Sequence, residues 1–281
     1  MAKFTSNTRP NQQQQLIAFL RDKQNLTILT GAGISAGCGI PTYRDEAGNW
    51  RRPDPIQHKD FMSQNETRQR YWLRSYSGWP AFASALPSPS HRIIAEMESL
   101  KIVKLVVTQN VDRLHQKAGS LNVVDLHGRL DEVICMSCAE FISRQAVQKT
   151  LKRLNPFLFE HGNVAPDGDA DVPEDAALSM VVPCCSSCGG ILKPNVVFFG
   201  DTVDKVIVQR IYQQIANGDG LLIIGSSLQV FSGYRFCRHA VQQGKPVASI
   251  NPGLSRGDDI IDTLIRGNSD ELLSPLAHNF Y

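Results

Sequence analysis

Residues Leu26 to Trp50 read LTILTGAGISAGCGIPTYRDEAGNW, and the turn from strand to glycines at Gly31 decides the fold. Leu26 to Thr30 is apolar and β-branched, the pattern of a buried strand. A strand that runs into glycines lets the backbone come close to a dinucleotide's pyrophosphate, with the following helix offering N–H donors and a positive dipole. The spacing departs from the usual fingerprint. Gly31 and Gly33 make G-x-G, but the next glycines are Gly37 and Gly39. Taken alone, G-x-G fits a tight turn equally well. Ile40 precedes Pro41, which disfavours helix there, so Ile40 to Arg44 is expected to be a loop carrying Tyr43 and Arg44 at its tip.

Two further features narrow the reading. Cys135-Met-Ser-Cys138 and Cys185-Ser-Ser-Cys188 are paired C-x-x-C turns. One such pair fits a redox dithiol or buried thiols as well as a metal; two close a tetrahedral zinc site and favour that reading. Cys184 is an alternative ligand to Cys185. Downstream of a second strand-like run, Ile102 to Thr108, come Gln109, Asn110, Asp112 and His115. Polar side chains at the C-terminal end of a strand are where open α/β sheets bind ligands. Val123 to Leu126 then leads into His127-Gly128. Histidine titrates near neutrality and can serve as a general base. Either histidine alone fits a structural role; the position of His127, after the strand-end amides and before the first C-x-x-C, sets it apart.

Taken in order, Gly31-Ala32-Gly33-Ile34-Ser35, Gly39-Ile40-Pro41 with Tyr43-Arg44, Thr108 to Asp112, Leu126-His127-Gly128, the two C-x-x-C pairs, Lys193 to Gly200, Gly225-Ser226-Ser227 and Asn251 resemble the sirtuins. The resemblance covers about Leu16 to Leu276. Within the family it is most similar to the class II group, which includes a mitochondrial lipoamidase-type member. Arg52-Pro53 with Pro55 to His58, Arg68 to Trp72, Ala165 to Asp169 and Ser232 to Phe236 carry that narrower match.

The resemblance implies an NAD-dependent protein lysine deacylase that cleaves the nicotinamide–ribose bond of its co-substrate NAD+ and passes the acyl group to ADP-ribose. It implies His127 as general base and Asn110, with Asp112, as the groups placing ribose and nicotinamide, Gln109 lying near the ribose hydroxyls. Gly31, Ala32, Gly33, Ser35, Gly39, Ile40 and Pro41 fall on the family's cofactor-binding segments. Tyr43 and Arg44 would close over the ribose. Gly225, Ser226, Ser227 and Asn251 would face the adenosine half, with Ser269 near the adenine. Val197, Phe198, Phe199 and Gly200 resemble one loop that holds the substrate strand, and Gly233 lies on the facing loop. Asp201 stands where many relatives have Glu, and Ser232-Gly233 where many deacetylases have a Pro-containing run. Both departures weaken the inference to peptide deacetylation, and the expected preference is for acyl groups other than acetyl. Tyr71 and Arg74, three apart on one helix face, resemble a pair that reads an acidic acyl group; they fit a core aromatic and a surface cation equally well. One structural Zn2+ on Cys135, Cys138, Cys185 and Cys188 completes the expectation.

The expected fold is α/β, a Rossmann-like doubly wound parallel sheet with a smaller zinc-binding and helical domain inserted. Strands are expected at Leu26–Thr30, Ile102–Thr108, Val123–Leu126, Leu221–Gly225 and Pro246–Ile250. Helical patterns at Pro89–Leu100, Lys205–Asn217 and Tyr234–Gln243 alternate with them. The large domain draws on 16–40, 89–128 and 196–281; insertions 41–88 and 129–195 form the small one; 1–15 reads as a frayed terminus. Asn163 to Asp175, acidic with Gly and Pro, reads as an exposed loop, and its APDGD run as one that approaches the site.

With 281 residues and a net charge of +2, the chain can bury one large core plus a satellite, and its charge gives no case for nucleic acid or membrane attraction. Seven cysteines, four of them in a zinc pattern, fit a reducing compartment. The resemblance implies an acylated protein lysine as partner; the enzyme is expected to be a monomer and the setting cytoplasmic, with the mitochondrial matrix as alternative. An ADP-ribosyltransferase and a non-catalytic NAD sensor remain the competing functions; a hydride-transfer enzyme is disfavoured by the glycine spacing.

Overall fold

The computed structural model describes residues 11–43, 45, 56–158, 168–169 and 177–278. Its centre is a six-stranded sheet made of β1 (Leu26–Thr30), β2 (Val103–Thr108), β3 (Val123–Asp125), β7 (Gly220–Ile224), β8 (Val247–Ile250) and β9 (Thr263–Ile265). The order is β3-β2-β1-β7-β8-β9, every neighbouring pair parallel. Chain direction across the sheet reverses beside β1, between β2 and β7, which makes this edge the topological switch point of a doubly wound fold.

Each strand is a near-continuous apolar run because both faces are covered. Ile28, Val106, Leu222, Ile224 and Ile250 face one layer with Leu16, Ile94 and Met97, from α1 (Gln12–Leu20) and α4 (Pro89–Ser99). Leu29, Leu105, Val107, Leu221 and Ile223 alternate to the opposite face. They meet Ile211 and Ile215 of α7 (Lys205–Asn217) and Phe236 and Ala240 of α8 (Phe231–Gln242).

A second, antiparallel sheet has the order β5-β4-β6, from β4 (Gly128–Cys135), β5 (Phe141–Ser143) and β6 (Leu192–Val196). Against it pack α2 (His58–Ser63), α3 (Asn65–Ser84) and α6 (Arg144–Leu154) through Phe61, Tyr71, Trp72, Val133, Val147 and Leu192. Short α5 (Leu114–Lys117) and α9 (Ser269–Leu273) complete the described helices used below.

Three expectations need correction. Ala32–Cys38 is a 310 helix, not an α-helix; among the described residues no α-helix begins between β1 and His58. Helix α8 starts at Phe231, three residues before the expected Tyr234. Of the segment expected to be an exposed loop, Gly168 and Asp169 are described and both are buried. Gly168 packs so closely on α3 that a Cβ on Gly78 would run into its carbonyl oxygen, and Asp169 faces Arg74. The rest of the APDGD run and Arg44 lie outside the described residues.

Candidate active site

Parallel registry brings the C-terminal ends of the strands to one line. Thr30 pairs with Thr108 and with Ile224, Thr108 with Asp125, and Ile224 with Ile250. The next residues therefore emerge together. Gly31 N donates to Ile224 O, Gln109 N to Thr30 O, Leu126 N to Thr108 O and Gly225 N to Ile250 O, all at 2.9–3.0 Å. A cavity of about 880 Å3 opens above this edge, near the upper end of the usual range for small-molecule sites.

Its floor is built from glycine against glycine. Gly33 N donates to Gly225 O at 2.8 Å. A Cβ on Gly31 would lie 2.8 Å from Gly225 O and from Ser226 Cβ; one on Gly33 would lie 2.7 Å from Gly225 Cα. Gly225 itself has φ +63°. The glycines thus serve two needs, an open backbone surface and close passage of the β1 and β7 loops.

A polar layer supports this floor. Asn110 Nδ2 donates to Gly31 O and to Ser35 Oγ, each at 3.1 Å. Ser35 Oγ donates to Asp112 Oδ2 at 2.7 Å, and Asp112 Oδ1 accepts from Leu114 N at 2.9 Å. Both Asp112 oxygens are engaged and the residue is buried. Gln109 Nε2 donates to Ser226 Oγ at 2.7 Å and to Thr30 O at 3.2 Å.

His127 stands at the cavity wall, half-buried. Its Nδ1 is 2.9 Å from the Gln109 carbonyl oxygen and its Nε2 is 2.7 Å from Ser232 Oγ. A carbonyl only accepts, so the neutral ring carries its hydrogen on Nδ1 and presents the Nε2 lone pair. Burial pushes its pKa below the ordinary histidine value; the Gln109 bond opposes this and the Arg235 guanidinium adds to the lowering. Burial thus favours the neutral form of the ring.

Of the residues expected in the site, Gly31, Ala32, Gly33, Tyr43, Gln109, Asn110, His127, Gly225, Ser226, Ser227, Asn251 and Ser269 line the cavity, as do Tyr71, Arg74 and Val197 to Gly200. Ser35, Gly39, Ile40, Pro41, Asp112 and Gly233 are not in its lining. Ser35 and Asp112 lie behind it, and Gly233 is pressed on Gln109, where a Cβ would come 2.5 Å from Oε1. Tyr71 is buried among Phe61, Trp72 and Phe198. Arg74 Nε is 3.5 Å from Asp169 Oδ2, so the guanidinium already faces a carboxylate. The Val197–Gly200 loop is fastened at both ends: Val197 N donates to His127 O at 2.9 Å and His58 N to Phe199 O at 2.8 Å. The sequence reading missed Ser232 as a partner of His127 and Arg235 as a cavity cation; only their place in a Ser-Gly-Tyr-Arg run marked them.

Away from the cavity, Cys135, Cys138, Cys185 and Cys188 bring their sulfurs within 4.8 Å of one another. Cys135–Cys188 and Cys138–Cys185 are 3.5 and 3.8 Å apart. Tetrahedral zinc with Zn–S near 2.3 Å places sulfurs about 3.8 Å apart, so the four fit a structural Zn2+. Cys185, not Cys184, belongs to the cluster.

Comparison with known proteins agrees with this geometry. Residues 31–232 match the Sir2 family model. The chain is 46% identical to an NAD-dependent protein deacetylase of Bordetella bronchiseptica, covering 96% of this chain and 99% of that one. It is 44% identical to the human mitochondrial NAD-dependent protein lipoamidase sirtuin-4, covering 94% and 85%. A Sir2 structure with a p53 peptide and NAD+ superposes with a TM-score of 0.76 at 25% identity, covering 94% of this chain and 97% of that one.

Proposed function

The chain belongs to the Sir2 family and is an NAD-dependent protein deacylase, and on that footing we propose that His127 is its general base and that the acyl groups it removes extend beyond acetyl. NAD+ is the co-substrate and acylated protein lysine the substrate class. Bound there, NAD+ would supply the electrophilic ribose carbon, with nicotinamide as its leaving group toward the acyl oxygen. The Nε2 of His127 would take the proton of a ribose hydroxyl as that oxygen bonds to the acyl-derived carbon; the bond from this carbon to the lysine nitrogen would break, lysine would leave as the amine, and one water would complete the O-acyl-ADP-ribose. The observation behind this role is the 2.9 Å contact between Nδ1 and the Gln109 carbonyl oxygen: a ring that donates there keeps its lone pair on Nε2.

Position supports the remaining roles. Gly31 to Gly33 and Gly225 to Ser227 offer backbone and small side chains to the pyrophosphate and adenosine. Asn110, tied to Gly31 and Ser35, holds the polar floor on the nicotinamide side. The substrate strand lies between Val197–Gly200 and the first turn of α8, adding main-chain bonds to each. Action as a monomer, without nucleic acid or membrane partner, belongs to the same proposal, as does a cytoplasmic setting, with the mitochondrial matrix as alternative. No described helix is long and apolar enough to cross a membrane.

For acyl choice, Arg74 and Asp169 are the deciding pair. An acidic acyl group would compete with Asp169 for the guanidinium; a long neutral chain would lie along Tyr71 and Phe198. Nicotinamide release from acetyl-, succinyl-, 3-hydroxy-3-methylglutaryl- and lipoyl-lysine peptides, with wild type, Arg74→Ala and Asp169→Asn, separates the two. Preference for acidic groups that collapses in Arg74→Ala and rises in Asp169→Asn supports carboxylate reading. Indifference of every acyl group to Arg74 refutes it. Acetyl-lysine turning over faster than all the others refutes the wider acyl range. Full activity of His127→Ala refutes the base.

A further inference from the structure

The hydroxyl of Ser232 occupies the one lone pair that His127 has to offer. Nδ1 carries the ring hydrogen, bound to Gln109 O, so Nε2 accepts and Ser232 donates, at 2.7 Å. Ser232 sits in the first turn of α8, and that turn is docked on the same strand end. Gly233 presses on the Gln109 side chain, which is itself fastened to Ser226 and Thr30. Gln109 O holds the imidazole. Helix turn, strand end and ring thus form a closed circuit of contacts, and the serine leaves the ring only by rotating its own side chain or by moving the turn.

An imidazole so arranged accepts from Ser232 or from a ribose hydroxyl, not from both. We propose that Ser232 is a positioning residue that latches the first turn of α8 onto His127 in the free enzyme, and that the ribose hydroxyl of bound NAD+ displaces it. The kinetic part of this rests on the assignment of His127 as base; the latch itself does not. In the free enzyme the serine holds ring plane and tautomer ready. On displacement its bond is exchanged for the one the reaction uses, so the strength of the latch is subtracted from co-substrate binding. Among the described residues the charged group that bears on His127 is Arg235, one turn beyond Ser232 on α8; the partners from the β2 end and the β6 loop, Gln109 and Val197, are uncharged.

The test is an NMR titration of the His127 ring in the free, 15N-histidine-labelled protein for wild type, Ser232→Ala and Ser232→Thr. It is paired with pH profiles of kcat/KM for NAD+ and of kcat. A hydroxyl donor to the lone pair stabilises the neutral ring. Losing it in Ser232→Ala raises the ring's midpoint by about half to one pH unit, and Ser232→Thr restores it. The acid limb of kcat/KM, which reports the free enzyme, moves with it; the limb of kcat, which reports the complex, stays. A ring midpoint and Nε2 resonance unmoved in Ser232→Ala overturn the latch. A moved midpoint together with a moved kcat limb overturns displacement, because the serine would then still hold the base in the complex. Full turnover by His127→Ala removes the base assignment while the ring titration still decides the latch.

Discussion

Gly33→Ala separates an open phosphate cradle from an interlock of two loops. A methyl at residue 33 would stand 2.7 Å from Gly225 Cα and 2.9 Å from Gly225 O. Ordinary carbon contacts begin at about 3.5–4.0 Å, so the β1 and β7 loops must part by about 1 Å. Neither neighbour is a side chain that can swing aside. The parting also stretches the Gly33 N to Gly225 O bond, now 2.8 Å, beyond hydrogen-bonding length. Overpacking of this kind costs about 1–3 kcal/mol and the bond about 1 kcal/mol more. A total of roughly 2–4 kcal/mol lowers Tm by roughly 3–7 °C in a chain of this size. A floor displaced by about 1 Å costs on the order of 100-fold in kcat/KM for NAD+. Differential scanning calorimetry and initial rates over NAD+ concentration measure both. Gly244→Ala is the control: Gly244 has φ +63° but no atom within 4 Å of a Cβ, so it carries backbone strain without a clash. If Gly33→Ala melts with Gly244→Ala and keeps kcat/KM within about threefold of wild type, the interlock argument is wrong.

Metal analysis of purified protein is expected to find about one zinc per chain; Cys184→Ser keeps it, whereas Cys185→Ser loses it and melts earlier, and equal zinc in the two variants contradicts the four-sulfur cluster. Stability is expected to fall with acid because His91 and His115, 4.7 Å apart, are buried and held neutral, burial lowering His91 to about 4 and His115 well below its ordinary value. The unfolded chain binds more protons than the folded one as pH drops from about 6.5 to about 4, and His91 alone accounts for on the order of 3 kcal/mol across that window. His91→Gln keeps an acceptor for Ser88 N, the bond His91 Nδ1 now makes at 3.3 Å, and flattens the dependence; a urea midpoint that is already flat in wild type between pH 7 and 5 refutes the assignment.

The sheet was legible because its strands are buried on both faces and so appear as uninterrupted apolar runs. Leu26–Thr30 and Lys205–Asn217 were read with the bounds the structure has. Strand β9 was missed: three residues, Thr263–Ile265, at the edge of the sheet carry too little pattern to stand out. The 310 helix after β1 was misread because glycine-rich sequence is compatible with several turns, and what selects among them is the β7 loop, far away in the chain. The same holds for the site. Residues at strand ends, Gln109, Asn110 and His127, could be placed because parallel registry puts all such ends at one edge. The partners that orient them could not. Nothing in the local sequence says that Ser232 meets His127, 105 positions away, or that Asp169 faces Arg74.

Zinc and catalysis meet in packing, not in chemistry. Four thiolates fill a tetrahedral site and leave no open position for a substrate or water, so the metal can only brace. What it braces is specific. Cys135 ends β4, and both it and Cys185 belong to the core that contains Phe61, Tyr71, Trp72 and Leu192. Phe198 packs on that core, its ring centroid 5.4 Å from that of Tyr71 and 5.2 Å from that of Phe61. Tyr71 and Phe198 are at once the outer layer of the zinc-braced core and the wall of the cavity. This part of the cavity wall is therefore positioned by the small sheet, while His127 and the glycines are positioned by the large one. The two meet at His127-Gly128, where β3 leaves one sheet and β4 enters the other. The proposed general base thus sits at the covalent link between the sheet that carries the glycine floor and the sheet that carries the Tyr71 and Phe198 wall.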